Sequence, residues 1–131
     1  MKQIFILIVS IIIFSISLAT IVNAFGINGV VYNDKNCNGQ RNGADSGIGG
    51  VTLTLNPGGL TDSTNPGGNY HFIGLSAGIY TVTITVPPAY CSTTPTTKTI
   101  AVIKKNIANQ NFGISKLPAS PDGKSCCVDE D

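Results

Sequence analysis

From Ile27 onward, apolar and polar residues alternate with a period of two, in short runs broken by turn residues. Ile27 to Asn33 opens the pattern, with Val30 and Tyr32 on one face and Val31 on the other. A polar, glycine-rich loop follows from Asp34 to Gly50. Val51-Thr-Leu-Thr-Leu55 then alternates cleanly and places Val51, Leu53 and Leu55 on one face. Asn56-Pro-Gly-Gly59 and Asn65-Pro-Gly-Gly68 are turns on either side of a short returning strand at Leu60-Thr61. Asn69 to Leu75 predicts a strand with Tyr70 and Phe72 inward. Ile79 to Val86 predicts another, with Tyr80, Val82, Ile84 and Val86 on one face. Pro87-Pro88 stops that strand, because proline supplies no ladder donor. A Thr/Pro-rich loop from Ala89 to Thr97 leads to strands at Lys98–Ile103 and Asn109–Ile114. Six to seven short antiparallel strands at these spacings predict an all-β fold, a two-sheet β-sandwich.

The two ends depart from this pattern. Lys2 precedes an almost unbroken apolar stretch from Ile4 to Val22, and Val22-Asn23-Ala24 offers the small-residue exit of a secretory signal. Residues 1–24 are therefore expected to be a cleaved signal peptide, the rival reading being a retained membrane anchor. The domain is expected over 25–115. Residues 116–131 show no apolar period and are expected to be a disordered tail.

With Lys2 set aside, seven basic residues balance seven acidic ones. The mature protein is formally neutral and has no field that would draw nucleic acid or, once the leader is gone, a membrane. Threonine and valine crowd the middle of the sequence, as strands prefer.

The chemistry concentrates in the first long loop. Asp34, Asn36 and Asn38 stand at alternate positions, and Gly39 follows where a sharp turn needs positive φ. Gln40 then offers its backbone carbonyl, Asn42 a side-chain oxygen, and Asp45 closes the segment. This is the twelve-residue spacing of an EF-hand-type calcium loop, with Asp45 in place of the usual bidentate glutamate. Hard Ca2+ takes six to eight oxygens, which alternating side chains on a tight loop can direct to one point. With two local carboxylates the expected affinity is modest, of the order of 10⁻⁴–10⁻³ M. The competing reading is a polar turn with no ion, since such residues also tolerate left-handed geometry.

Val30-Val31-Tyr32-Asn33-Asp34-x-Asn36-x-Asn38-Gly39, with Gly47-Ile48-Gly49-Gly50-Val51-Thr52-Leu53, resembles the B-type repeat of staphylococcal serine-aspartate surface proteins (the SdrD B-like domain). Thr61-Asp62 and Gly68-Asn69-Tyr70-His71-Phe72-x-x-Leu75-x-x-Gly78-x-Tyr80-x-Val82 continue the likeness over residues 27–114. That family, related to the collagen-adhesin (Cna) B-type domain, implies an Ig-like or prealbumin-like Greek-key sandwich, calcium at the first long loop, and a stalk or spacer role at the cell surface. The family counterpart of Asp62 suggests a third carboxylate. Strand parity puts Asp62 at the same end as the long loop and the Pro87–Thr97 loop, though it can equally cap a turn. The isopeptide bond of collagen-adhesin domains is not expected, because the first strand has no lysine and the only glutamate, Glu130, is in the tail.

Four cysteines in a secreted protein favour disulfides. The same parity brings Cys37 and Cys91 to one end as the natural pair, with two separate thiols as the alternative. Cys126 and Cys127, adjacent in the tail, leave intermolecular bridging, attachment and exposed thiols open. The single histidine, His71, is expected to face solvent and cannot by itself form a zinc site or a catalytic triad. The expectation is a non-enzymatic, secreted or surface-associated module that holds or spaces surface components. The alternative is an adhesive module taking an extracellular or cell-wall protein or carbohydrate on its end loops.

Overall fold

The computed structural model describes residues 24–116. Eight strands follow in order: β1 (Phe25–Asn33), β2 (Thr52–Asn56), β3 (Leu60–Ser63), β4 (Asn69–Leu75), β5 (Gly78–Thr85), β6 (Tyr90–Ser92), β7 (Thr97–Val102) and β8 (Phe112–Lys116). They form two four-stranded sheets, ordered β4-β1-β8-β6 and β3-β2-β5-β7. The expected β-sandwich is present, with two differences. The additional strand is β6, three residues inside the Thr/Pro-rich stretch, which β8 recruits through Tyr90↔Lys116, Cys91↔Ser115 and Ser92↔Ile114. The first and last strands run parallel, Val31↔Phe112 to Asn33↔Ile114, whereas the other strand-to-strand pairings among the described residues are antiparallel. Apart from Ala24 and Lys116, the expected leader and tail lie outside the described residues, and Lys116 ends β8 rather than opening a tail.

The period-two alternation sets the core. Val51, Leu53 and Leu55 from one sheet meet Ile27, Val31, Tyr70, Phe72, Phe112 and Ile114 from the other, and all are buried. Each such side chain withdrawn from water contributes roughly 1.5–3 kcal/mol. Tyr70 packs edge-on against Phe72 with 5.9 Å between centroids, and its hydroxyl donates to the Gln110 carbonyl at 2.6 Å. Lys98 lies with its Nζ 5.5 Å from the centre of the Phe112 ring.

The outward face of the β3-β2-β5-β7 sheet is made largely of threonine. Register aligns Thr61, Thr54, Thr83 and Thr97 in one row across all four strands, with Ser63, Thr52 and Thr85 beside them. Threonine satisfies a strand's preference for β-branched residues while leaving hydroxyls to water.

Candidate metal centre

Two strands and two loops build the corner where the candidate ligands lie. The backbone leaves β1 at Asn33, and the Asp34 N–H donates to the Ile114 carbonyl at 2.9 Å. The long loop then folds back, with Asn33 N–H donating to Ser46 at 2.8 Å and Ile48 N–H to Val31 at 2.9 Å. Tyr32 pairs with Gly113 on β8 and bridges to Gly47 of the loop. By alternation Tyr32 should face away from the core; the loop covers it, leaving 2% of its surface exposed. β8 is accordingly buried on both faces from Phe112 to Ser115. The Ala89–Thr97 segment borders the same corner: Thr93 N–H donates to the Gly113 carbonyl at 2.9 Å, and its own carbonyl would sit 3.6 Å from a Cβ on Gly39.

Within this corner the loop is shaped by its own side-chain oxygens. The Asp34 carboxylate, fully buried, accepts from the N–H groups of Asn38 at 3.3 Å and Gly39 at 2.8 Å. Asn36 Oδ1 accepts from Asn38 at 3.4 Å, and Asn38 Oδ1 from Gln40 at 2.9 Å. Two residues turn left-handed, Cys37 at φ 57° and Gly39 at φ 72°, and the second meets the expected need for a permissive residue there. Asp45 is 8% exposed, and its Oδ2 accepts from the Asn42 N–H at 2.9 Å. Asn36, Asn38, Gln40 and Asn42 are all exposed, and of these Asn38 and Asn42 reach the buried acids through their backbone N–H groups.

Asp34 and Asp45 act on a common neighbour. The Tyr32 pKa is raised above its usual value by burial first, then by the negative charge of Asp34 and of Asp45. Beside the Tyr32 hydroxyl, over Gly113, lies Thr93 Oγ1, a buried atom without a hydrogen-bond partner among the described residues. The sequence alone does not single out Tyr32 and Thr93 as site residues. Their place on the floor of this corner depends on the loop closing over the sheet, which no local pattern records.

Asp62 is not part of this corner. Its Oδ2 accepts from the His71 N–H at 2.8 Å and lies 4.0 Å from His71 Nδ1. His71 pairs with Asn28, six residues before Asp34 along the strand, a separation of ~20 Å at strand rise. Parity predicts the end of the sandwich but not the distance along it, and the β3–β4 seam holds this carboxylate. His71 faces solvent, as expected. Among the described residues no three His, Cys, Asp or Glu side chains cluster as a metal-binding group. Any cation here would be held by two carboxylates together with amide, carbonyl and hydroxyl oxygens.

Cys37 and Cys91 are both disulfide-bonded, and neither is a free thiol. Two shallow grooves, of about 400 and 430 Å³, run along the outward β4–β1 face, one of them lined by Asn28, Asn69, His71, Asn109 and Asn111.

Such a two-sheet sandwich, with a long polar loop folded against the first and last strands, is of the Ig-like class. Residues 26–117 match the SdrD B-like domain, and the protein belongs to that family. No curated protein matches it. Similar solved structures include GBS52, the minor pilin of the Gram-positive pathogen Streptococcus agalactiae, with a TM-score of 0.56 at 12% identity over 74% of this protein and 46% of that one. A streptococcal ancillary pilin gives 0.57 at 14% identity over 76% and 34%. The Bacillus anthracis TIE protein gives 0.54 at 14% over 72% and 17%. The match spans less than half the length of each of these, and at such identities the likeness is one of fold.

Proposed function

We propose that this protein is a secreted or surface-associated, non-catalytic module whose Asp34–Asp45 loop binds calcium, and that the bound ion stiffens the loop end of a sandwich that holds or spaces components outside the cell. The observation that carries this reading is the burial of two carboxylates in one corner. Among the described residues neither Asp34 nor Asp45 forms an ion pair, and both bear on the same phenol. Buried charges are ordinarily paired or bound to metal, because desolvation without compensation is costly. A divalent cation supplies that compensation, and the unpartnered Thr93 Oγ1 at the same floor fits a corner organised around an additional group. Asn36, Asn38 and Asn42 add neutral oxygens, and the Gln40 carbonyl another, in keeping with calcium's preference for a full oxygen shell. Membership of the SdrD B-like family supports the extracellular setting, and the fold shared with pilin subunits supports a structural role.

The test is thermal unfolding of the protein from Phe25 onward in calcium and in EGTA. With an affinity of about 10⁻⁴–10⁻³ M, calcium at ~10 mM stabilises by roughly 1.4–2.7 kcal/mol, a rise of about 5–15 °C in Tm. Asp34→Ala and Asp45→Ala abolish the rise. Asp62→Ala preserves it, because that carboxylate sits at the other seam. Asp34→Ala also lowers stability in EGTA, by roughly 1.5–3 kcal/mol, through the two loop N–H groups it leaves unpaired. An unchanged Tm in calcium sinks the metal reading and leaves the loop a capped polar turn.

A further inference from the structure

The sequence contains three Asn-Gly steps, at Asn28-Gly29, Asn38-Gly39 and Asn42-Gly43. Such a step can modify itself. The amide nitrogen of the glycine attacks the asparagine Cγ, the bond from Cγ to Nδ2 breaks, and ammonia departs to leave a five-membered succinimide. Water then opens the ring at either carbonyl, giving aspartate or isoaspartate. No catalyst is needed, only water, a glycine nitrogen unengaged by another acceptor, and a peptide able to rotate towards its own side group.

The structure withholds these conditions from two of the steps. Asn28-Gly29 is inside β1, where the Asn28 N–H donates to Ile107 and its carbonyl accepts from Gln110. The space a Gly29 Cβ would occupy is already filled by the Gln110 carbonyl and the Tyr70 ring, so this peptide has no room to turn. At Asn38-Gly39, the glycine N–H is held by Asp34 Oδ2 at 2.8 Å, and Asn38 Oδ1 is held by the Gln40 N–H.

Asn42-Gly43 differs in its glycine nitrogen, its side group and the space around it. Both residues are exposed, the Gly43 N–H and the Asn42 side group make no hydrogen bond among the described residues, and nothing lies within 4 Å of a Cβ built on Gly43. Asn42 itself is anchored, its N–H donating to Asp45 Oδ2 and its carbonyl accepting from the Asp45 N–H, both at 2.9 Å. Among the described residues that carbonyl bond is the one tie on the Asn42–Gly43 peptide, while the attacking Gly43 nitrogen and the Asn42 side group are left to solvent.

We propose that Asn42 is a site of spontaneous deamidation in the folded protein, and that the ordered structure shields Asn28 and Asn38 from the same chemistry. The product adds a third carboxylate to the Asp34–Asp45 segment, one hydrogen-bonded turn from Asp45. The proposal stands whether or not the loop binds calcium.

The test incubates the full folded protein at mildly alkaline pH without calcium, and in parallel the same protein in denaturant. Peptide mass spectrometry follows the mass gain of amide-to-acid conversion at each site. In the folded state Asn42 reacts about tenfold or more faster than Asn28 and Asn38, the factor equivalent to a local-opening cost of about 1.4 kcal/mol at the two held sites. In denaturant the three rates converge. Conversion of Asn28 or Asn38 at a rate equal to Asn42 in the folded state overturns the proposal, as does an Asn42 rate far below that in denaturant.

Discussion

At the scale of single residues, the loop corner shows how one position takes several duties. Asp34 follows β1, closes the loop through the Gly39 N–H, and supplies a buried carboxylate. Cys37, three residues on, adds a covalent tie. A bridge between Cys37 and Cys91, the pairing that strand parity suggests, would satisfy both bonds and fasten the candidate calcium loop to the segment that carries Cys91. Reduction is therefore expected to lower unfolding stability by roughly 2–4 kcal/mol, read as a fall in the denaturant midpoint. Proteolytic peptide mapping without reduction identifies the partner. A Cys37–Cys91 peptide gives the pairing that parity suggests; a link to the Cys126-Cys127 pair ties the C-terminal segment to the loop. A midpoint unmoved by reduction contradicts the stiffening role of these bonds.

At the scale of elements, most of the sandwich is legible in the alternation, and the exceptions have physical reasons. Val51, Leu53 and Leu55, or Val82 and Ile84, announce their strands because one face meets the core and the other meets water. β6 does not announce itself: three half-buried residues have no period, and the edge of β8 imposes the pairing. Tyr32 is buried against its parity because a loop, not a second sheet, covers it. Parity groups Asp62 with the long loop, but the carboxylate is held at His71 on the β3–β4 seam, because parity orders the ends of strands and is silent on distance along them. Gly29 illustrates a further constraint that only packing reveals. It pairs with Tyr70, and the absence of a Cβ lets the Gln110 carbonyl approach closely enough to accept from the Tyr70 hydroxyl. Gly29→Ala is expected to displace that segment and cost at least about 1–3 kcal/mol of stability, the range for overpacking a filled site. Gly43→Ala, in open space, should cost far less, and the two denaturant midpoints compared side by side make the check.

At the scale of the whole molecule, Tyr70 and Tyr32 couple the core and the loop corner to pH. Burial raises Tyr70 far above the usual phenol range; burial, and then the charges of Asp34 and Asp45, raise Tyr32. Below about pH 10 both phenols keep their protons in the folded and unfolded states, so their contribution to stability is fully present and independent of pH. Above that value the unfolded state releases these protons while the folded state retains them, and stability falls as pH rises towards the folded pKa values. The limiting slope is about 1.4 kcal/mol per pH unit for a phenol held neutral, and Tyr70→Phe should flatten the decline. The two tyrosines also separate the core from the loop. On the proposed function, calcium beside Asp34 and Asp45 would offset the charges that help to hold Tyr32 neutral, so saturating calcium should move the Tyr32 titration downward. Tyr70 owes its shift to burial alone and should not respond. Ultraviolet titration of Tyr32→Phe and Tyr70→Phe variants, with and without calcium, assigns each phenol. A calcium-sensitive titration that survives Tyr32→Phe places the ion somewhere other than the Asp34–Asp45 corner.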